Sequence, residues 1–183
     1  MRIIAGESKG RPIESVKGMH TRPTSDRVKE SIFNIIQFQV ADALVLDLFA
    51  GTGNLGLEAL SRGSRKAVFV EKEPSAIKVL RKNCVNLGYL HKSTILSMDV
   101  LKAIKKLSCN GERFDIVFMD PPYEKGLEEP VLRALSQEKL VADTGVVIVE
   151  HRTRDIQPET IEELRKVDTR IYGNTSVSFY KRG

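Results

Sequence analysis

Apolar positions along the chain fall into two rhythms, short continuous runs and stretches with helical spacing. From residue 43 onward the two alternate. ALVLDLF (43–49), KAVFVE (66–71), TILSM (94–98), FDIVFM (114–119) and GVVIVE (145–150) read as buried strands. Between them, residues 54–62, 74–87, 100–107 and about 127–137 read as helices. Gly63 stops the first, Pro74 suits the opening position of the second, and Gly88 lies just past its end. Ile77, Leu80, Cys84 and Leu87 share one face of that helix.

Ahead of this alternation, Val28, Ile32, Ile35 and Ile36 recur at i, i+4, i+7 and i+8, predicting a helix capped by Thr24 or Ser25. Residues 1–13 suit a small hairpin, with Ile3 and Ile4 facing Pro12 and Ile13 around a turn from Gly6 to Gly10. Residues 14–24 form a polar connection. The tail holds two β-rich runs, KVDTRIY and SVSFYK, split by Gly173-Asn174 as a hairpin turn. The expected organisation is a basic N-terminal hairpin and connection over 1–24 and an α/β domain over 25–183. Repeated β-α-β means a mostly parallel sheet covered by helices on both faces. Ligands of such sheets bind beyond the carboxyl ends of the strands, so the residues after each strand are where chemistry is expected.

Composition narrows the class. With 183 residues, 41% hydrophobic and 29% charged, the chain suits one ordinary folded domain. No apolar run approaches the roughly 20 residues of a membrane helix. The N-terminus turns polar at once, without the apolar stretch of a secretory signal. Cys84 and Cys109 have neither paired spacing nor a nearby His, so they read as free thiols in a reducing cytoplasm, with no metal site. Net charge is +5 and the pI is about 9.2. The stretch from Arg2 to Arg27 holds Arg2, Lys9, Arg11, Lys17, Arg22 and Arg27 against Glu7, Glu14 and Asp26. That local excess favours a polyanion, because neutralised phosphates release counterions.

Two strand ends carry recognisable chemistry. DLFAGTGNLG follows the first, and Gly51 to Gly56 fits G-x-G-x-x-G, with Glu71 twenty residues past Gly51 at the end of the second strand. Such glycines admit close backbone approach and the acid takes ribose hydroxyls, which points to a nucleoside ligand; the same turn also serves packing alone. Asp47 disfavours a pyrophosphate here. It suits a cation, such as the amino group and sulfonium of S-adenosylmethionine. Asp99 either accepts from an adenine amine, caps the helix from Val100, or does both.

The fourth strand ends in Asp120-Pro121-Pro122-Tyr123. An exocyclic amine becomes a methyl acceptor when two acceptors on its hydrogens localise the lone pair in line with the incoming carbon. Asp120 and the Pro121 carbonyl supply such a pair, proline fixes its direction, and Tyr123 offers a face on which an extruded base stacks. The pattern [D/N/S]-P-P-[Y/F/W] does not separate adenine N6, cytosine N4 and guanine N2, or DNA from RNA.

MRIIAGESKGR, TRPTSDRVKESIFNII, DLFAGTGNLGLEALSRG, VEKEPSAIKVLRKN, FDIVFMDPPY and RIYGNTSVSFYKR together resemble, in order, the bacterial RsmD family. The resemblance implies a Rossmann-like class I S-adenosylmethionine-dependent methyltransferase fold, with a seven-stranded sheet of order 3-2-1-4-5-7-6. It implies methylation of N2 of the guanine at position 966 of 16S ribosomal RNA, in the small subunit or an assembly intermediate. It also assigns Asp47, Phe49, Gly51, Thr52, Gly53, Glu71, Lys72, Asp99, Val100 and Asp120 to the cofactor. Asp120, Pro121, Pro122 and Tyr123 become catalytic, and Arg2, Lys9, Arg11, Arg22, Thr24 and Arg27 contact RNA. Competing expectations are an adenine-N6 methyltransferase, which 183 residues leave without a separate sequence-reading domain, and a non-catalytic RNA-binding factor on the same fold.

Overall fold

Five β-branched- and leucine-rich runs pair side by side in the computed structural model, which describes residues 1–16, 25–122 and 126–183. They are β1 (Leu44–Leu48), β2 (Lys66–Glu71), β3 (Ser93–Ser97), β4 (Phe114–Met119) and β5 (Val141–Arg152), mutually parallel. Three antiparallel strands, β6 (Thr160–Ile161), β7 (Leu164–Tyr172) and β8 (Thr175–Arg182), complete the sheet. Its order is β3-β2-β1-β4-β5-β8-β7-β6. The expected order is recovered, with one correction: the sheet has eight strands rather than seven. The extra strand, β6, has two residues and pairs only with the start of β7, too short for any periodicity to reveal. β5 also begins four residues earlier than expected, because its register on β4 shifts between Phe114 and Ile116.

Side-chain alternation divides the core into two layers. Val45, Phe69, Ile116, Phe118, Val146, Ile148 and Val177 face α1 (Asp26–Ile35), α2 (Asn54–Ser61) and α3 (Pro74–Leu87). Leu46, Leu48, Val117, Met119, Val147 and Val149 face α4 (Val100–Cys109) and α5 (Glu128–Gln137). The cap of α1 is Ser25, whose hydroxyl accepts from Val28 N at 3.3 Å; Thr24 lies outside the described residues. The buried face of α1 is Val28, Lys29, Ile32 and Phe33, followed by Ile36, while Ile35 is exposed. The predicted face is therefore rotated, because Lys29 is covered instead of facing solvent.

The cause of that rotation is a buried charged junction. Glu58 on α2 accepts from the backbone amides of Ile4 at 2.8 Å and Ala5 at 3.0 Å, and pairs with Lys29 at 3.2 Å and Arg62 at 2.8 Å. Lys29 Nζ also donates to Arg2 O at 2.6 Å and Asn54 Oδ1 at 2.8 Å. The N-terminal segment is thereby built into the domain. It folds back as expected, with Ile3 N bonded to Arg11 O and Ile13 N to Met1 O, but the pairing is one isolated bridge, Arg2 with Pro12, and not two formed strands. Ile3 and Ile13 enter the core layer of α1 to α3.

Candidate active site at the carboxyl edge of the sheet

The glycine loop after β1 is shaped by close approach. Gly51 and Gly53 have φ of +54° and +88°, a region that costs a side chain energy. A Cβ on Gly53 would meet Leu80 Cδ1 at 2.5 Å, and one on Gly56 would meet Phe69 Cε1 at 2.3 Å. α2 can therefore start directly against β2 and α3. Phe49, also at positive φ, bends the chain out of β1. The loop is then pinned from two sides. Glu71 Oε2 accepts from Gly51 N at 2.8 Å, while its other oxygen takes Lys72 N and Glu73 N at 2.8 and 2.9 Å. Asn83 of α3 donates to Thr52 O and Glu14 O, both at 3.0 Å, joining the loop to the N-terminal segment.

One cavity of about 1450 Å³ runs along this edge. Of the sequence-predicted residues it brings together Asp47, Phe49, Gly51, Thr52, Glu71, Lys72, Asp99, Val100, Asp120, Pro121 and Pro122. Gly53 stands behind the wall as the residue preceding α2. Tyr123, Arg22 and Thr24 lie outside the described residues. The volume exceeds the roughly 300–1,000 Å³ usual for one small ligand, leaving space for a second group beyond a nucleoside. Asp99 caps α4, its carboxylate accepting from Leu101 N at 3.0 Å, and it still lines the cavity, so the capping role is filled without withdrawing it from a ligand.

The carboxylates at this edge are electrostatically loaded. Burial drives the Asp47 carboxyl up to about 7, opposed by its bond from Gly56 N and helped by the Glu71 charge. Asp120 is held well above the ordinary carboxylate range, first by burial, then by the charges of Glu150 and Asp47. In its ionised form such a wall repels a pyrophosphate and suits a cation. Glu71, a carboxylate with about four acceptor positions and three backbone donors, keeps capacity for a hydroxyl. Asp47, Glu71 and Asp99 thus fit the sulfonium, ribose and adenine parts of S-adenosylmethionine. Among the described residues no group of three or more His, Cys, Asp or Glu is placed to hold a metal ion, and no helix is long and apolar enough to cross a membrane.

The far wall went unread in the sequence. Arg152, Thr153, Arg154, Gly173, Asn174 and Thr175, from the end of β5 and the β7–β8 turn, complete the cavity. The strand-end rule applied to β5 as it was to β4 would have found the first three. Of the expected RNA contacts, Arg2 pairs with Asp26 at 3.2 Å and Arg11 bonds the carbonyl oxygens of Asn86 and Leu87. Lys9 and Arg27 are exposed.

The fold and this edge define a Rossmann-like methyltransferase. The family model described as Conserved hypothetical protein 95 matches residues 1–181, and the chain belongs to that RsmD-like family. Ribosomal RNA small subunit methyltransferase D of Escherichia coli (strain K12) is 32% identical over 182 residues, covering 100% of this chain and 90% of that protein. YlbH of Bacillus subtilis (strain 168) is 36% identical over 182 residues, covering 100% and 99%. The solved structure of yhhF from Escherichia coli aligns with a TM-score of 0.87 at 32% identity, covering 100% of this chain and 97% of that one.

Proposed function

We propose that the chain methylates the N2 amine of a guanine in 16S ribosomal RNA, at position 966, using S-adenosylmethionine. The carrying observation is that Asp120, Pro121 and Pro122 line the same cavity as Asp47, the glycine loop and Glu71. Support for ribosomal RNA comes from the name borne by the Escherichia coli relative and from the basic pI of about 9.2. The work takes place in the cytoplasm, on the small subunit or an assembly intermediate.

Asp47, Phe49, Gly51, Thr52, Gly53, Glu71, Lys72, Asp99 and Val100 hold or shape the cofactor position, Glu71 at the ribose and Asp99 at the adenine. Bound S-adenosylmethionine supplies an electrophilic methyl group on a sulfonium. Asp120 and the Pro121 carbonyl accept the two N2 hydrogens, localising the lone pair toward that methyl. Pro122 stiffens the bracket, and Tyr123 stacks on the flipped base. Forming the N–C bond breaks the methyl's bond to sulfur, with S-adenosylhomocysteine as the leaving group. The methylated amine is acidic, and its proton leaves to Asp120 or to solvent. A carboxyl raised above its ordinary range is better matched to that transfer than an ordinary aspartate. Lys9 and Arg27, with Arg22 and Thr24, meet the RNA backbone.

Asp120→Ala tests this assignment. Loss of one positioning acceptor is expected to cost about 2.7–4 kcal/mol in the barrier, as for deletion of an oxyanion-hole donor, with cofactor affinity changed far less. Near-normal turnover would refute it.

A further inference from the structure

Glu150 is a buried carboxylate of β5, and the reaction scheme above gives it no task. The β4–β5 register pairs Met119 with Val149, so Asp120 and Glu150 are the next residues on adjacent strands, spaced by roughly 4.8 Å. Met119 and Val149 belong to the core layer of α4 and α5. By alternation, Asp120 and Glu150 fall on the opposite face, that of Asp47 and α1. Glu150 is 5% exposed. It lines a smaller cavity of about 360 Å³ with Ser25, Arg27, Val28 and Tyr172, and this cavity shares Gly173 and Thr175 with the main one. Asp120 registers the neighbour, since the Glu150 charge is the second cause, after burial, of its raised carboxyl.

We propose that Glu150 selects guanine by accepting the N1–H of the flipped base while Asp120 and Pro121 hold N2. The inference rests on the guanine-N2 reading. On the Watson–Crick edge of guanine N1–H adjoins the amine, so a second acceptor one strand away from Asp120 is placed for it. Adenine and cytosine present a ring-nitrogen acceptor beside their amine, which a carboxylate repels. An isolated Asp-Pro-Pro-Tyr motif cannot make this distinction, because all three bases offer it an amine. A site that hydrogen-bonds a substrate N–H strongly rejects analogues lacking it.

The test uses small subunits reconstituted with RNA carrying either guanine or 2-aminopurine at the target position. 2-Aminopurine keeps the N2 amine but has no N1–H. Wild-type protein and Glu150→Gln are compared in single-turnover methyl transfer, with melting temperature and S-adenosylmethionine affinity measured on both. Glu150→Gln keeps the size of the buried side chain, and Glu150→Asp serves as a second variant that keeps the charge. The Gln amide oxygen still accepts N1–H, so exchanging a charged for a neutral acceptor corresponds to roughly a 5- to 12-fold slower guanine reaction. The expected result is that loss on guanine with an equal or faster reaction on 2-aminopurine, whose N1 acceptor the neutral Gln no longer repels, unchanged cofactor affinity, and partial recovery in Glu150→Asp. Equal slowing of both substrates, or no slowing of either, overturns the role of Glu150 while wild-type methylation of guanine stands. Failure of the wild type to methylate guanine overturns the underlying guanine-N2 reading and the inference with it.

Discussion

Lys29 Nζ lies 3.2 Å from Glu58 Oε2, with both side chains fully buried. The pair locks α1 to α2 and, through Arg2 O, Ile4 N and Ala5 N, fixes the N-terminal segment to both. The partners are not equivalent. Without Lys29, Glu58 keeps Arg62 and two amides. Without Glu58, two amides lose their acceptor, and the buried Lys29 ammonium keeps only the neutral acceptors Arg2 O and Asn54 Oδ1 with no counter-charge. Breaking a buried pair costs about 3–5 kcal/mol. Glu58→Ala should fall in that range by urea denaturation, and Lys29→Met should cost less. A larger loss for Lys29→Met would contradict the junction as described.

Gly56→Ala should weaken the cofactor site without touching a ligand atom. The added Cβ would meet Phe69 Cε1 at 2.3 Å and Asp47 Oδ2 at 3.0 Å, driving α2 away from β1 and β2. Overpacking of this kind costs about 1–3 kcal/mol. Denaturation should report a loss in that range, and calorimetry a lower affinity for S-adenosylmethionine.

The raised carboxyls set a pH dependence. Asp47 titrates near 7 in the fold and Asp120 well above its usual value. The native state therefore holds more protons than the unfolded chain above about pH 4. Their contribution to stability is fully present below that pH. The Asp47 part is lost as pH rises through about 7 and the Asp120 part as pH rises through its own raised value, at no more than about 1.4 kcal/mol per pH unit for each group. Urea titrations from pH 5 to 8 should show a flatter decline in Asp47→Asn than in the wild type. Affinity for the cationic cofactor should rise over the same window as Asp47 ionises, and an affinity independent of pH would argue against Asp47 facing the cation.

Substituting Arg2, Lys9 and Arg11 together should do more than weaken RNA binding. Arg2 is bonded to Asp26 and Arg11 to the end of α3, so the triple variant should also lose melting temperature. Lys9→Ala alone should leave stability unchanged and reduce the log–log salt slope of RNA binding by about 0.7–0.9. An unchanged slope would remove Lys9 from the interface.

Much of this was legible because it is written in local pattern. Strand runs, Gly63, Pro74 and Gly88 fix elements through backbone chemistry, and the glycine loop, Glu71 and Asp120 lie where a parallel sheet places its ligands. Lys29 and Glu58 were not legible, since a charge in a helix reads as solvent-facing until its partner on another helix is known. The same blindness misplaced Ile35. The sequence shows the charge of Arg2 and Arg11, the basis for expecting RNA contacts there, but not that Asp26 and the end of α3 also engage them. Glu150 ends the strand predicted over 145–150, but no proline or glycine marks it as they mark Asp120, and β5 runs on to Arg152.

The most direct measurement offers S-adenosylmethionine labelled at the methyl to small subunits lacking the modification and to protein-free 16S ribosomal RNA, then identifies the labelled nucleoside and its position. The account predicts N2-methylguanosine at position 966 with wild-type protein and on the order of 100- to 1,000-fold less with Asp120→Ala. Label in N6-methyladenosine, or none in ribosomal RNA under conditions where the cofactor binds, would contradict it.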